Sequence, residues 1–163
     1  METDLTSIII GLASLAVFLV PIGYYQHQEK KSLKEAKKQF LKIAADVGFQ
    51  ASGVEILRNR AAIGLDVNHE QLLYVRGSQY EMIELTEVVE CKMFRSHKKS
   101  SDNQSEVIQQ IGLCLKIQKS LDIKLLFFEG KEGTLIGDED ITLQRWIESV
   151  NRARKELGSG FKV

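Results

Sequence analysis

Proline is almost missing from this chain: it occurs once in 163 residues, at Pro21. The turns therefore rely on Gly and Asn, which suits hairpins. Cysteine is scarce too. Cys91 and Cys114 are far apart and fit neither a disulfide framework nor a metal knuckle, so two reduced thiols in a cytosolic compartment are expected. Neither sign of charge is in excess, with Lys+Arg and Asp+Glu at 22 each, which removes any overall pull toward nucleic acid. His27, His69 and His97 include no pair at ligand spacing, and no metal is expected at them. The phosphate-loop pattern G-x-x-x-x-G-K-S/T, the zinc-protease H-E-x-x-H and the hydrolase G-x-S-x-G are all absent. The chain is therefore expected to carry no cofactor and no catalytic residue, and not to be an enzyme.

Charge is locally absent as well. From Leu5 to Tyr25 there are 21 residues without one. As a helix rising about 1.5 Å per residue this run spans roughly 30 Å, one hydrocarbon core. A helix satisfies its own backbone hydrogen bonds, as the bilayer interior demands. The membrane-spanning residues are expected to be Leu5, Ile8, Ile9, Ile10, Leu12, Leu15, Val17, Phe18, Leu19, Val20 and Ile22. Tyr24 and Tyr25 fall where an aromatic belt marks the interface, and Pro21 with Gly23 suggests a bend near the exit. A cleaved export signal would begin with basic residues and end with small ones. Here Glu2 and Asp4 precede the run, and Ile22, Tyr24 and Tyr25 close it. A buried helix of a soluble protein would show a polar stripe, which this run lacks. Gly11, Ala13, Ser14 and Ala16 offer small residues for helix association without matching G-x-x-x-G.

Beyond Tyr25 the chain turns abruptly basic. Lys30, Lys31, Lys34, Lys37, Lys38 and Lys42 all lie after the apolar run, and no Lys or Arg precedes it. The positive-inside rule then puts the long C-terminal part in the cytoplasm and the short tail outside, in a single-pass arrangement at the cell membrane. Glu29 to Val47 reads as a helix, with Leu33, Ala36, Phe40, Ile43, Ala44 and Val47 on one apolar face and Gly48 as its stop. Its lysines are candidates, with the two tyrosines, for contact with anionic lipid. Glu29, Glu35 and Asp46 dilute them, so most are expected to set topology and solubility. The apolar face is expected to dock on the following domain.

After Gly48 the period changes from helical to alternating. Strands are expected in "GVEILRN" (53–59), "AAIGLDV" (61–67), "LLYVRG" (72–77), "QYEMIELT" (79–86), "VVECKMFR" (88–95), "QIGLCLKI" (110–117) and "IKLLFFEG" (123–130). "RSHKKSSDNQSE" (95–106) and "GKEGTLIGDED" (130–140) are expected to be loops. A closing helix should run from Ile141 to Leu157, capped by Asp140 or Thr142, burying Leu143, Trp146, Ile147, Val150 and Leu157. The acids of "DED" (138–140) suit a helix start, and Arg145, Arg152, Arg154 and Lys155 share a mixed-charge face with Glu148 and Glu156.

Antiparallel hairpins closed by one helix, with Trp146 on its inner face, resemble the pleckstrin-homology-like architecture over about Gly53 to Leu157. That resemblance implies a bent sheet with one open end covered by the terminal helix. It does not extend to a phosphoinositide site, because the first hairpin has only Arg58 and Arg60 before it and Arg76 after. "AAIGLDVNHEQLLYV", "IELTEVVECKMF" and "LQRWIESVNRARK" also resemble a set of uncharacterised bacterial single-pass membrane proteins, a likeness that implies no activity. The expected class is thus α+β: an external tail (1–4), a transmembrane helix (5–25), a basic stalk helix (26–48), a cytoplasmic β-domain with its helix (49–158) and a tail (159–163). The expected function is a non-catalytic interaction or scaffold module, binding a protein partner or its own copy at the lipid bilayer. The alternative is a surface domain that senses anionic lipid through the stalk lysines and the Arg95–Lys99 segment.

Overall fold

The computed structural model describes residues 5–66, 68, 70–99, 106–118, 121–130 and 137–159, with the side chains of 5–12, 98–99, 106–107 and 158–159 excepted. The chain divides into two units, Met1–Glu35 and Ala36–Val163. The fold is α+β, with a long helix first, antiparallel sheets next and a helix last.

Helix α1 runs from Leu5–Asp46 in one piece. The two helices expected at its place are joined, and Pro21 and Gly23 do not interrupt it. Proline removes one backbone N–H, and the helix continues across that single lost bond. Gly48 ends it as expected, at φ +72. The Phe49 N–H donates to the Ala44 carbonyl at 2.8 Å and the Gly48 N–H to the Ala45 carbonyl at 3.3 Å. That pairing is a Schellman cap, whose left-handed residue costs glycine little. Among the described residues no helix is long and apolar enough to cross a membrane. The side chains of Leu5, Ile8, Ile9, Ile10 and Leu12 lie outside the described residues.

Among the described residues seven strands come next: β1 (Gly53–Ile56), β2 (Ala61–Asp66), β3 (Gln71–Arg76), β4 (Gln79–Glu84), β5 (Val88–Lys99), β6 (Glu106–Ile117) and β7 (Ile123–Glu129). They form two antiparallel sheets, β1-β2-β3-β4 and β5-β6-β7. Helix α2 (Glu139–Ser159) closes the chain. The main core lies between the sheets and α2. Ile63, Leu72 and Ile83 enter from the first sheet, Leu113, Leu125 and Phe127 from the second, and Leu143, Trp146 and Val150 from α2.

A second cluster covers the other face of the first sheet. Phe40 and Ala44 of α1 pack there with Phe49, Ala62, Leu73 and Val75. The Phe40 and Phe49 rings meet edge to face with centroids 6.2 Å apart. Gly64 makes room, since a Cβ on it would lie 2.6 Å from the tip of the Phe40 ring. The apolar face of the basic helix thus docks on the domain through its C-terminal turns. In β6, Gly112 sits at a register shift, and a Cβ there would run into the Leu125 carbonyl oxygen.

Three expectations need correction. The strand expected over 53–59 stops at Ile56, because Leu57 to Arg60 reverse the chain, with the Arg60 N–H donating to the Leu57 carbonyl at 2.9 Å and Arg60 at φ +65. Second, Arg95–Lys99 is strand rather than loop. β5 continues to Lys99 and β6 begins at Glu106, pairing Lys98 with Val107 and Lys99 with Glu106. Ladder hydrogen bonds need no apolar side chains, so a polar arm extends beyond the core's edge; residues 100–105 lie outside the described residues. Third, α2 starts at Glu139, which puts Asp140 and Thr142 inside its first turn. The Thr142 N–H donates to the Asp138 carbonyl at 3.0 Å. Most of the expected 130–140 loop, residues 131–136, lies outside the described residues, as does His69.

Candidate functional site

Among the described residues β1 is an edge strand of the first sheet, paired with β2 alone. Its parity follows from one bond. The Leu57 N–H donates to the Ala61 carbonyl at 2.7 Å, and the register pairs Glu55 with Ile63 and Gly53 with Leu65. In an antiparallel ladder hydrogen-bonded pairs alternate with non-bonded ones. Residues 57, 55 and 53 therefore point their amides at β2, while Val54 and Ile56 point theirs outward.

Beside that edge runs α2. Between them lies a groove of about 500 Å³, floored by Gly53, Val54 and Leu65 and walled by Arg145, Trp146 and Ser149. Glu55 bridges the two sides. One carboxylate oxygen accepts from Arg145 Nη2 at 2.6 Å, and the other accepts from Trp146 Nε1 at 2.6 Å. Trp146 is buried as its place on the helix stripe predicts, and its ring N–H needs such a partner. Ser149 Oγ donates back to the Arg145 carbonyl at 2.8 Å.

A second hollow, about 150 Å³, lies between β3, β4 and β7 beside Tyr74, Arg76 and Lys124. Its cations are engaged. Arg76 pairs with Glu129 at 2.7 Å, which holds that carboxyl below its usual range, and Lys124 Nζ lies 5.6 Å from the Phe94 ring centroid. Burial raises the Tyr74 phenol, whose hydroxyl donates to the Leu126 carbonyl at 2.7 Å.

The mixed-charge residues near α2 spread over several partners. Arg95 pairs with Asp140 at 2.9 Å and Arg58 with Glu139 at 3.2 Å. Burial alone would raise the Glu139 carboxyl. Hydrogen bonds from its own amide, from Arg58 and from the Gly137 N–H outweigh that and hold it below its usual range. Asp66 is wholly buried, accepting from the Gln50 N–H at 2.9 Å and the Asn68 N–H at 3.0 Å. It ties the segment after α1 to the β2–β3 turn. Sequence reading missed it because an acid ending a strand looks like a turn residue.

The two thiols do not come together. Strand alternation points them to opposite faces, since Cys91 pairs with Leu115 and Cys114 with Lys92. Burial pushes the Cys91 thiol up to about 12, and Cys114 Sγ donates to Asp122 Oδ2 at 4.0 Å. Among the described residues no group of three or more His, Cys, Asp and Glu is placed to hold a metal ion.

In the first unit, Leu15, Val17, Phe18, Leu19, Val20, Ile22, Tyr24 and Tyr25 are exposed. The Tyr24 and Tyr25 rings meet edge to face at 6.4 Å, and Gln28 Nε2 donates to the Tyr24 hydroxyl at 2.7 Å. Lys30, Lys31, Lys34, Lys37, Lys38 and Lys42 are all exposed. No family model, no curated protein and no solved structure matches this chain.

Proposed function

We propose that this chain is a single-pass, membrane-anchored interaction module, without catalytic activity, whose C-terminal domain lies in the cytoplasm and binds a protein partner or its own copy. The observation that carries the anchor is the exposure of four consecutive apolar residues: Val17 at 70%, Phe18 at 72%, Leu19 at 56% and Val20 at 67%. Helical neighbours point about 100° apart, so four in a row cover the whole circumference. Water rejects such a surface on every side, and a bilayer accepts it. The uncharged stretch continues back to Leu5, which supplies the length for a span.

A pleckstrin-homology-like domain is the finer reading of the fold. It is supported by antiparallel strands followed by a closing helix that buries Trp146, the features on which the resemblance rests. Interaction rather than chemistry is supported by what the side chains offer: a thiol kept protonated in the core, ion pairs on the surface and, among the described strands, a sheet edge with no second neighbour. The exposed stalk lysines favour one further reading, in which the same chain senses anionic lipid.

The test begins with membranes. The intact protein should stay in the pellet through alkaline carbonate washing, and Phe18→Arg with Val20→Arg should release part of it. Release of the unaltered chain by carbonate defeats the anchor. Crosslinking in intact membranes should then return a protein partner or a dimer. If only lipid crosslinks form, the lipid-sensing reading replaces the protein-binding one.

A further inference from the structure

We infer that the groove between β1 and α2 receives an extended, acidic segment of a partner protein, which adds to the first sheet as a strand beyond β1. The inference rests on the interaction-module reading and names the place and chemistry of the contact. Three features converge there. The Val54 backbone N–H and C=O point away from β2, Val54 itself lines the groove, and an unpaired edge is a template for another strand. Gly53 leaves that edge open, since a Cβ on it would meet nothing within 4 Å. The third feature is charge, and it selects the occupant. Both oxygens of Glu55 are already taken by Arg145 and Trp146, and its side chain is 30% exposed, whereas Arg145 is 62% exposed. The charge that the groove presents to a newcomer is therefore the guanidinium, which has further N–H donors to offer. Arg152 follows Ser149 by three positions on the same stripe of α2 and is exposed as well.

Main-chain pairing gives such a contact its register, and alternate side chains give it selectivity. A segment with carboxylates on alternate residues places them all on one side, toward α2. A second copy of β1 is a poorer occupant, because it would bring Glu55 toward Glu55 across the new pair.

The test uses the full chain in lipid nanodiscs and a fluorescent heptapeptide of alternating Val and Glu. A peptide with Lys in place of Glu is the comparison. Anisotropy should show the acidic peptide binding at least tenfold more tightly, and hydrogen exchange at Val54 should slow only in its presence. Val54→Pro removes the outward N–H without breaking the ladder to β2, and Arg145→Gln removes the cation. Each should weaken binding at least tenfold while the thermal midpoint of the domain stays within a few degrees. Equal binding of both peptides overturns the inference, as does full binding to the Val54→Pro protein. Protection of Val54 that rises with protein concentration and needs no peptide would put a second copy on the edge, and overturns it too. Failure of the peptide together with persistent crosslinks to a partner in membranes removes the groove alone. Loss of the crosslinks as well removes the interaction module.

Discussion

Glu139 keeps a carboxylate charged at a nearly buried position by surrounding it with donors. The consequence is a pH dependence of known sign. A carboxyl whose folded pKa lies below its unfolded value binds fewer protons when folded. Its contribution is complete above the unfolded value, near 4.5, and is lost as pH falls through the folded one. Urea midpoints should therefore fall once pH drops below that unfolded value, as the carboxylate takes up its proton. Glu139→Gln should lower stability at pH 7 by about 1 kcal/mol, since one charged acceptor becomes neutral. It should also flatten the acid limb of the curve. A variant whose acid limb matches the parent's would place the pH dependence elsewhere. Glu55 stands in a different position, because its hydrogen bonds reach across two elements. Its loss would free Arg145 and strand the Trp146 N–H together.

At the scale of elements, the end of α1 decides how β2 and β3 are used. Both strands are buried on two faces, one toward the main core and one under Phe40 and Ala44. Phe40→Ala in the detergent-solubilised full chain should cost about 3–5 kcal/mol in urea unfolding, the range for removing a buried ring. A loss under 1 kcal/mol would mean that the helix end docks only loosely. The strands themselves were legible in the sequence, because alternation, hairpin residues and apolar runs agree with one another over 61–66, 71–76 and 123–129. Which face each strand turns to which core was not. In "GVEI" the alternation suggests Val54 and Ile56 for the main core, yet they pack on the cluster beneath α1. Glu55 takes the inner side, held by α2, and Leu57 enters the main core. A pattern of period two identifies two faces and cannot say which partner covers each. The groove was hidden for the same reason. Its wall and floor come from positions 90 residues apart, and a strand glutamate next to a helix arginine carries no local signature. The polar arm of β5 and β6 escaped notice because composition reports burial, and those strands are held by their ladder.

For the whole molecule, the boundary between units falls within α1, after Glu35 and before the residues that dock on the sheet. A division at Gly48, where sequence periodicity changes, would separate Phe40 and Ala44 from the sheet residues they pack against. A fragment of residues 36–163 retains Phe40, Ala44 and the Schellman cap at Gly48, and should melt cooperatively in the absence of lipid. A fragment of residues 48–163 exposes Ala62, Leu73 and Val75 on the outer face of the first sheet. It loses at least the Phe40 contribution of about 3–5 kcal/mol, which for a domain of this size lowers the thermal midpoint by roughly 10 °C or more. It also presents an uncovered apolar face, so it should self-associate as concentration rises. Calorimetry and sedimentation of the two fragments side by side measure both effects. Equal midpoints and equal sedimentation would show that the helix end is an ornament on a domain already complete without it. The expected difference makes it part of the domain's own packing, carried on one continuous helix with the apolar segment that begins at Leu5.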